Sequence, residues 1–209
     1  MTSTPSRRRL FGQAVAAVGG AILMGRAGRA YAVPRSATQA QHLPTVGQTF
    51  SLSVKAFGAK LVADLPPPPP MLDFNGSLVQ KVVAGGDDFV RLQTLRFTME
   101  AFHPMFGKIT LAQPDDDVPP ASTLALGSTG FTETWVQPFN TTFERNGEIA
   151  GPFVFQTLEP ARWVANLAQY PPPSDALFES QAPIRLGAVS SDGEQSVYGE
   201  LQGMNVNQG

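Results

Sequence analysis

Val90-Arg-Leu-Gln-Thr-Leu-Arg-Phe-Thr-Met-Glu-Ala-Phe102 is the longest regular segment of the chain and decides its fold class. Its apolar residues recur with a period of two, which predicts a β-strand with one face on a core. Val90 and Leu92 would lie on one face of a regular strand, whereas Phe97 and the alternate apolar residues that follow it would lie on the opposite face. We therefore expect one extra residue near Gln93 or Thr94. Such a β-bulge bends a strand, as closed or packed sheets require.

Shorter segments around this strand follow the same alternation. Phe50 to Ala56 alternates until Gly58, and Phe131 to Gln137 alternates as well. Asn146-Gly147 is a strong hairpin signal, because both residues tolerate a positive φ. The segments on either side of Ser191-Asp192-Gly193-Glu194 alternate as well and are predicted to pair as a closing hairpin. About eight to ten short strands are expected, and no segment after residue 32 predicts a long helix. The fold class predicted is all-β, as a single antiparallel barrel or sandwich.

The N-terminus has the order of regions found in a bacterial targeting peptide. Ser6-Arg7-Arg8-Arg9-Leu10-Phe11 precedes a weakly apolar stretch from Ala14 to Met24, and Ala30-Tyr31-Ala32 has the small-x-small form of a cleavage site. Eleven apolar residues are too few for a membrane span, which takes about 20. Residues 6–32 resemble a twin-arginine export signal. The resemblance implies the twin-arginine machinery and signal peptidase as partners, and a periplasmic or extracellular location.

This signal divides the chain into three parts. Residues 1–32 are expected to be the signal peptide. Residues 33–47, rich in Pro, Gln, Ser and Thr, are expected to form an extended tether. Residues 48–209 are expected to form a single β domain. No second apolar stretch of membrane length follows, so no stable span is predicted for the mature protein.

Composition excludes several classes of function. Five of the 15 basic residues and none of the 17 acidic residues lie in the predicted signal, which leaves ten basic against 17 acidic residues in the mature chain. This acidic balance without a basic cluster argues against nucleic-acid binding. The chain has no cysteine, so thiolate catalysis and thiolate-held metals are excluded. No cofactor and no metal site are predicted, and no phosphate loop, dinucleotide fingerprint or Gly-x-Ser-x-Gly elbow is present.

His103 is the candidate catalytic residue. It stands where the long strand meets a turn, and an imidazole placed there is suited to act as a general base. The alternative is a histidine whose ring hydrogen-bonds a carbonyl of the turn. The only other histidine, His42, lies in the predicted tether and is expected to be solvated.

Acidic residues suggest two further sites, each with a simpler alternative. Asp115 to Asp117 and Asp87-Asp88 have the oxygen ligands that calcium prefers. Consecutive side chains converge poorly on one ion, however, so solvated loops are favoured. Glu100 and Glu133 both lie in predicted strands and would make a glycosidase-type carboxylate pair if they approached each other.

Phenylalanine is frequent, with 14 residues, many of them in predicted strands. Most are expected to form the core, although an aromatic interior in a small barrel also suits an apolar ligand.

Two segments carry a resemblance to a known family. Phe102 to Leu111 and Ala182 to Leu186 resemble strand-turn patterns in a poorly characterised family of small exported bacterial β-proteins, some of which are labelled cholesterol esterase. The resemblance implies a serine nucleophile acting with His103, for which Ser77, Ser122 and Ser128 are candidates.

Two main functions follow from the sequence. The first is an exported, non-catalytic β-protein that binds an apolar small molecule or an envelope partner. The alternative is a secreted hydrolase of carboxylic or sterol esters with an unconventional serine site centred on His103. A structural envelope protein is a third possibility, and whether the protein is an enzyme stays open.

Overall fold

The computed structural model describes residues 42–115, 119 and 121–209, and the predicted export signal lies outside them. The regular secondary structure of these residues is all β, which confirms the all-β part of the predicted fold class. Nowhere in these ranges is there a helix with the length and hydropathy needed to cross a bilayer. The strands are β1 Thr49–Ala63, β2 Met71–Gly85, β3 Phe89–His103, β4 Gly107–Ala112, β5 Ser122–Leu126, β6 Phe131–Gln137, β7 Asn140–Asn146, β8 Ile149–Thr157, β9 Ala161–Leu167, β10 Ala176–Ser180, β11 Ile184–Val189, β12 Gln195–Gln202 and β13 Val206–Gln208.

All 13 strands belong to one antiparallel sheet, and the strand pairings close this sheet into two rings. The first ring of hydrogen-bonded strands runs β1-β2-β3-β4-β7-β8-β11-β12 and closes through β12 and β1. The second ring runs β1-β2-β3-β5-β6-β9-β10-β13 and closes through β13 and β1. The two rings therefore share β1, β2 and β3.

The three shared strands are long because each serves both rings. β1 pairs with β13 through Val54 and Lys55, and with β12 through Lys60–Ala63. β3 pairs with β5 through Phe89–Leu92, and with β4 through Thr98–His103. One half of β1 and of β3 therefore pairs within one ring, and the other half pairs within the other.

The change of parity in β3 is a β-bulge, as predicted, but it lies slightly further along the strand. Val79 pairs with Arg96 and Gln80 with Thr94, so Leu95 is the unpaired extra residue. Leu95 is exposed, whereas Thr94 and Phe97 are both buried. The extra residue lets the apolar side chains on both sides of it point inward.

Gly58 interrupts the alternation of β1 without ending the strand. The register shifts between Ala56 and Ala59, and Gly58 has a φ of +66°, which suits glycine. Its amide donates a 2.7 Å hydrogen bond to the Asp73 carboxylate. β1 therefore continues into the first ring beyond the glycine that the sequence marks as a break.

Aromatic side chains join the two interiors. Phe97, on the shared strand β3, contacts Trp135 at 5.6 Å and Phe139 at 5.9 Å between ring centroids. Trp135 stacks on Trp163 at 4.4 Å, and all four side chains are almost completely buried. Seven phenylalanines are core residues, and Phe50, Phe153 and Phe155 pack against the core, as expected.

The predicted hairpins are present, but the strand count was too low. β7 and β8 form the hairpin at Asn146-Gly147, where Gly147 has a φ of +61°. β11 and β12 form the predicted closing hairpin. The sequence reading missed β5, β10 and β13, which are short and lie between proline- or glycine-rich turns. Such strands form because a neighbour already presents a free edge, which periodicity does not reveal.

Gly76 lies on β2, in the middle of the three strands that the two rings share. It pairs with Val54 on one side and with Met99 on the other. A Cβ atom there would lie 2.6 Å from the Met99 Cα atom, and closer still to the Thr98 carbonyl. We expect Gly76→Ala to lower the free energy of unfolding by about 2 kcal/mol, as overpacking does. Urea denaturation measures the change.

Gly86→Ala is the matched control, because a Cβ atom at Gly86 meets nothing nearer than the Phe89 ring at 3.8 Å. This variant should unfold within about 0.5 kcal/mol of the wild type, the usual range for surface substitutions. Equal stability of the two variants would contradict the close approach of β2 and β3.

Candidate functional site

An apolar cavity of about 210 Å³ lies within the first ring. Its lining comes from the end of β1 and the residues after it, the β3–β4 turn, β7, β8, β11 and β12. Its apolar lining consists of Leu61, Ala63, Leu65, Phe106, Phe143, Phe153, Phe155, Leu186 and Gly199, together with the ring of Tyr198. We call it the aromatic cavity.

The aromatic wall follows from the alternation of the strands. Phe143 on β7 pairs directly with Phe153 on β8, and Phe155 follows two residues later on the same face. Neighbouring rings are in contact: Phe106 lies 5.2 Å from Phe143, and Phe143 lies 5.8 Å from Phe155. Phe155 in turn lies 5.0 Å from Tyr198 on β12. The wall is therefore a continuous series of rings.

Polar and exposed residues form the rim of the aromatic cavity. Asp64, Arg145, Asn146 and Tyr198 all line it, and all are exposed. The Arg145 Nη2 atom donates a 2.8 Å hydrogen bond to the Pro104 carbonyl, which holds the guanidinium beside the β3–β4 turn. The site thus combines an apolar interior with a polar entrance, as small-molecule sites do.

His103 lies next to the aromatic cavity rather than in its lining. Its half-buried ring contacts Phe106 at 5.3 Å. Its Nδ1 atom accepts a 3.3 Å hydrogen bond from the Met105 amide. The ring therefore bonds within the turn, as the simpler alternative expected, but to an amide instead of a carbonyl. A neutral imidazole that accepts at Nδ1 carries its proton on Nε2, so in this state the second nitrogen is a donor.

The candidate serines lie apart from His103. Ser122 pairs with Leu92, eleven residues before His103 on β3, which corresponds to about 36 Å of strand. Ser77 pairs with Thr98, five residues from His103 or about 16 Å, and its side chain is exposed. Ser128 lies in the exposed β5–β6 turn. A nucleophile and its base need hydrogen-bond reach, and the strand register does not bring these residues together.

A second unusual feature, inside the second ring, is the buried carboxyl group of Glu133. The side chain is fully buried on the inward face of β6, between Phe131 and Trp135. Gln80 Nε2 donates a 3.3 Å hydrogen bond to Glu133 Oε1, and the Tyr170 hydroxyl donates to Gln80 Oε1 at 3.3 Å. Glu133 Oε2 has no hydrogen-bond partner among the described residues.

Burial controls the protonation of this group. It raises the pKa of Glu133 to about 8, although the hydrogen bond from Gln80 opposes the shift. Burial also raises the pKa of the Tyr170 hydroxyl far above its ordinary value, and the nearby Glu133 charge adds to this effect. At neutral pH the Glu133 carboxyl is therefore mainly protonated, since an unpaired buried charge is costly.

The suggested carboxylate pair does not form. Glu100 is exposed and forms an ion pair with Lys108 at 2.6 Å in the first ring, whereas Glu133 is enclosed in the second. Asp87 and Asp88 are exposed, and Asp116 and Asp117 lie outside the described residues. Among the residues that are described, no three His, Asp or Glu side chains lie close enough to hold a metal ion.

Sequence reasoning missed Arg145 and Tyr198 at the rim of the aromatic cavity. The sequence did contain a signal for Glu133. It alternates with Phe131 and Trp135 along the strand, which places its side chain on the same buried face. No local signal identifies Tyr198, whose place at the cavity depends on the closure of β12 onto β1.

Glu133→Gln tests the buried carboxyl group. The folded pKa of about 8 lies above the ordinary value of 4.5, so the folded protein binds one more proton than the unfolded chain between these values. The stability that this proton provides is complete below pH 4.5 and falls by about 1.4 kcal/mol per pH unit up to about pH 8. We expect Glu133→Gln to remove this slope and to be more stable than the wild type at pH 7.5, as measured by urea unfolding.

Glu179→Gln is the matched control, because Glu179 is exposed on β10. Its unfolding should keep the pH dependence of the wild type. A wild-type protein whose stability is constant between pH 5 and 8 would contradict the burial of Glu133 in the native state.

Comparisons with known proteins bear on the fold alone. The chain matches no protein-family description, and no curated protein shows significant similarity to it. Its fold is similar to the structure of DynF from the dynemicin biosynthesis pathway of Micromonospora chersina, with a TM-score of 0.60 and 15% sequence identity. The alignment covers 88% of this chain and 92% of the DynF chain.

Proposed function

We propose that this protein is an exported β-protein that binds an apolar small molecule of one or two rings in the aromatic cavity. The observation that carries the proposal is a partly open pocket of about 210 Å³ with a wall of contacting aromatic rings. We further propose that each ring of strands is a small barrel, with β1, β2 and β3 common to both. The closing pairs β12–β1 and β3–β5 support this architecture.

The size of the aromatic cavity limits the ligand. An apolar cavity of about 150 Å³ stays dry and binds benzene. The volume of about 210 Å³ therefore suits a molecule somewhat larger than benzene, such as a bicyclic hydrocarbon. The four fused rings of a sterol would not fit wholly inside this space, so its volume favours small ring compounds as ligands that are fully enclosed.

The chemistry of the wall supports the same ligand class. Phe143, Phe155 and Tyr198 present ring faces and edges, which pack well against another ring. Water gains few hydrogen bonds from such a lining, so an apolar guest displaces it at little cost.

Naphthalene is a suitable probe of the aromatic cavity. Ten carbon atoms at about 0.7 kcal/mol each correspond to a dissociation constant on the order of 10 µM. We expect Ala63→Phe to abolish this binding, because the added ring fills the space beside Gly199. Isothermal titration calorimetry with the wild type and the variant measures the effect.

Ala182→Phe is the control, since Ala182 is exposed in the β10–β11 turn. This variant should bind naphthalene like the wild type. Failure of the wild type to bind would contradict the proposal. Hydrolysis of short-chain or sterol esters that His103→Ala abolishes would instead favour the esterase hypothesis.

Export is the second component of the proposal, and it rests on the twin-arginine-like pattern of residues 6–32. We expect Arg7→Lys combined with Arg8→Lys to retain the precursor in the cytoplasm of a bacterial host. Cell fractionation with immunoblotting measures the distribution. Arg26→Lys combined with Arg29→Lys is the control and should be exported. Equal export of both double variants would contradict the twin-arginine route.

A further inference from the structure

Arg145 is the cationic group at the rim of the aromatic cavity. It follows Phe143 by two residues on β7, and both residues line the cavity. Glu144 lies between them and has a different environment: its carboxylate accepts a 2.8 Å hydrogen bond from the Lys108 amide. The alternation of the strand thus sets a positive charge directly beside an aromatic wall.

The Arg145 guanidinium is anchored but keeps free donors. The backbone amide of Arg145 donates to the Phe106 carbonyl at 3.1 Å, and Nη2 donates to the Pro104 carbonyl at 2.8 Å. A guanidinium has five N–H groups, so most of them remain available. The ion pairs recorded for the described residues are Lys108–Glu100 and Arg185–Glu159, and neither includes Arg145.

Asp64 is the competing charge at the same rim. It lines the aromatic cavity and is exposed. A ligand cation would pair with Asp64, whereas a ligand anion would pair with Arg145. The guanidinium is weakly hydrated and presents a planar set of donors that matches a carboxylate, so it loses less on pairing than an exposed carboxylate does. These properties favour an anionic ligand.

We propose that the aromatic cavity selects ring compounds that carry one carboxylate, with the rings against Phe143 and Phe155 and the carboxylate on Arg145. This inference rests on the proposed binding function and names the ligand class of the same site. The polar end of the ligand would stay at the exposed rim, where it keeps part of its hydration. The apolar rings would fill the interior.

Three probes of nearly equal shape show whether the aromatic cavity prefers a neutral, an anionic or a cationic ligand. Naphthalene reports on the cavity alone, 2-naphthoate adds a carboxylate, and 2-naphthylmethylammonium adds a cation. Calorimetric titrations of the wild type are compared with those of Arg145→Met, which keeps an unbranched apolar stem. The control is Arg162→Met, because Arg162 is exposed on β9 in the second ring.

We expect Arg145→Met to bind 2-naphthoate about fivefold more weakly than the wild type does, the upper range for an exposed ion pair. Naphthalene affinity should change less than 2-naphthoate affinity in Arg145→Met, so the ratio of the two affinities should fall, whereas Arg162→Met should match the wild type with all three probes. The fivefold difference should shrink in 1 M salt, which screens exposed charges. Arg145→Gln serves as a second variant if circular dichroism shows that Arg145→Met is not folded.

Two results would overturn the inference while leaving the binding function intact. One is equal binding of 2-naphthoate to the wild type and to Arg145→Met, with naphthalene bound by both. The other is preferential binding of the ammonium probe, which would assign selectivity to Asp64. Absence of binding for all three probes would overturn the proposed function and this inference together.

Discussion

The structure depends on the sharing of β1, β2 and β3 between two closed circuits of backbone hydrogen bonds. An open sheet of this size would expose two rows of unpaired amides and carbonyls at its edges. The pairs β12–β1 and β3–β5 remove these edges within one continuous sheet. Closure requires each shared strand to turn from one ring to the other, and bulges make that possible. Leu95 in β3 and Gly58 in β1 are therefore requirements of the topology.

The two rings enclose different side chains. Buried Glu133 and Gln208 lie on β6 and β13, which belong only to the second ring, and both have side-chain atoms without a hydrogen-bond partner among the described residues. Trp135 and Trp163 fill much of the remaining space there. The first ring is mainly apolar and has the aromatic cavity. Phe97 packs against Trp135 and Phe139 between the two rings, so the buried side chains form one continuous core.

Local pattern predicted the all-β class, the bulge in β3 and two hairpins, because each depends on residues close in sequence. It failed where long-range closure decides the outcome. β13 exists because β1 and β10 each offer it an edge, and Val206–Gln208 alone is too short to indicate a strand. The same limit applied to the candidate site. The alternation of β6 places Glu133 on a buried face. No pattern in the nearby sequence, however, predicts that Tyr198 contacts Phe155 or that Glu100 and Glu133 lie apart.

The arrangement at His103 shows why a residue type alone is a weak guide to function. His103 is near the aromatic cavity through Phe106, yet its Nδ1 atom is engaged by the Met105 amide and the candidate serines lie along other parts of the sheet. A general base needs a free lone pair and a partner within reach. Arg145 faces the same cavity with free donors, and a donor is sufficient to orient a bound anion. The part of this geometry on which the proposed binding function rests is therefore the aromatic wall together with the donor at its rim.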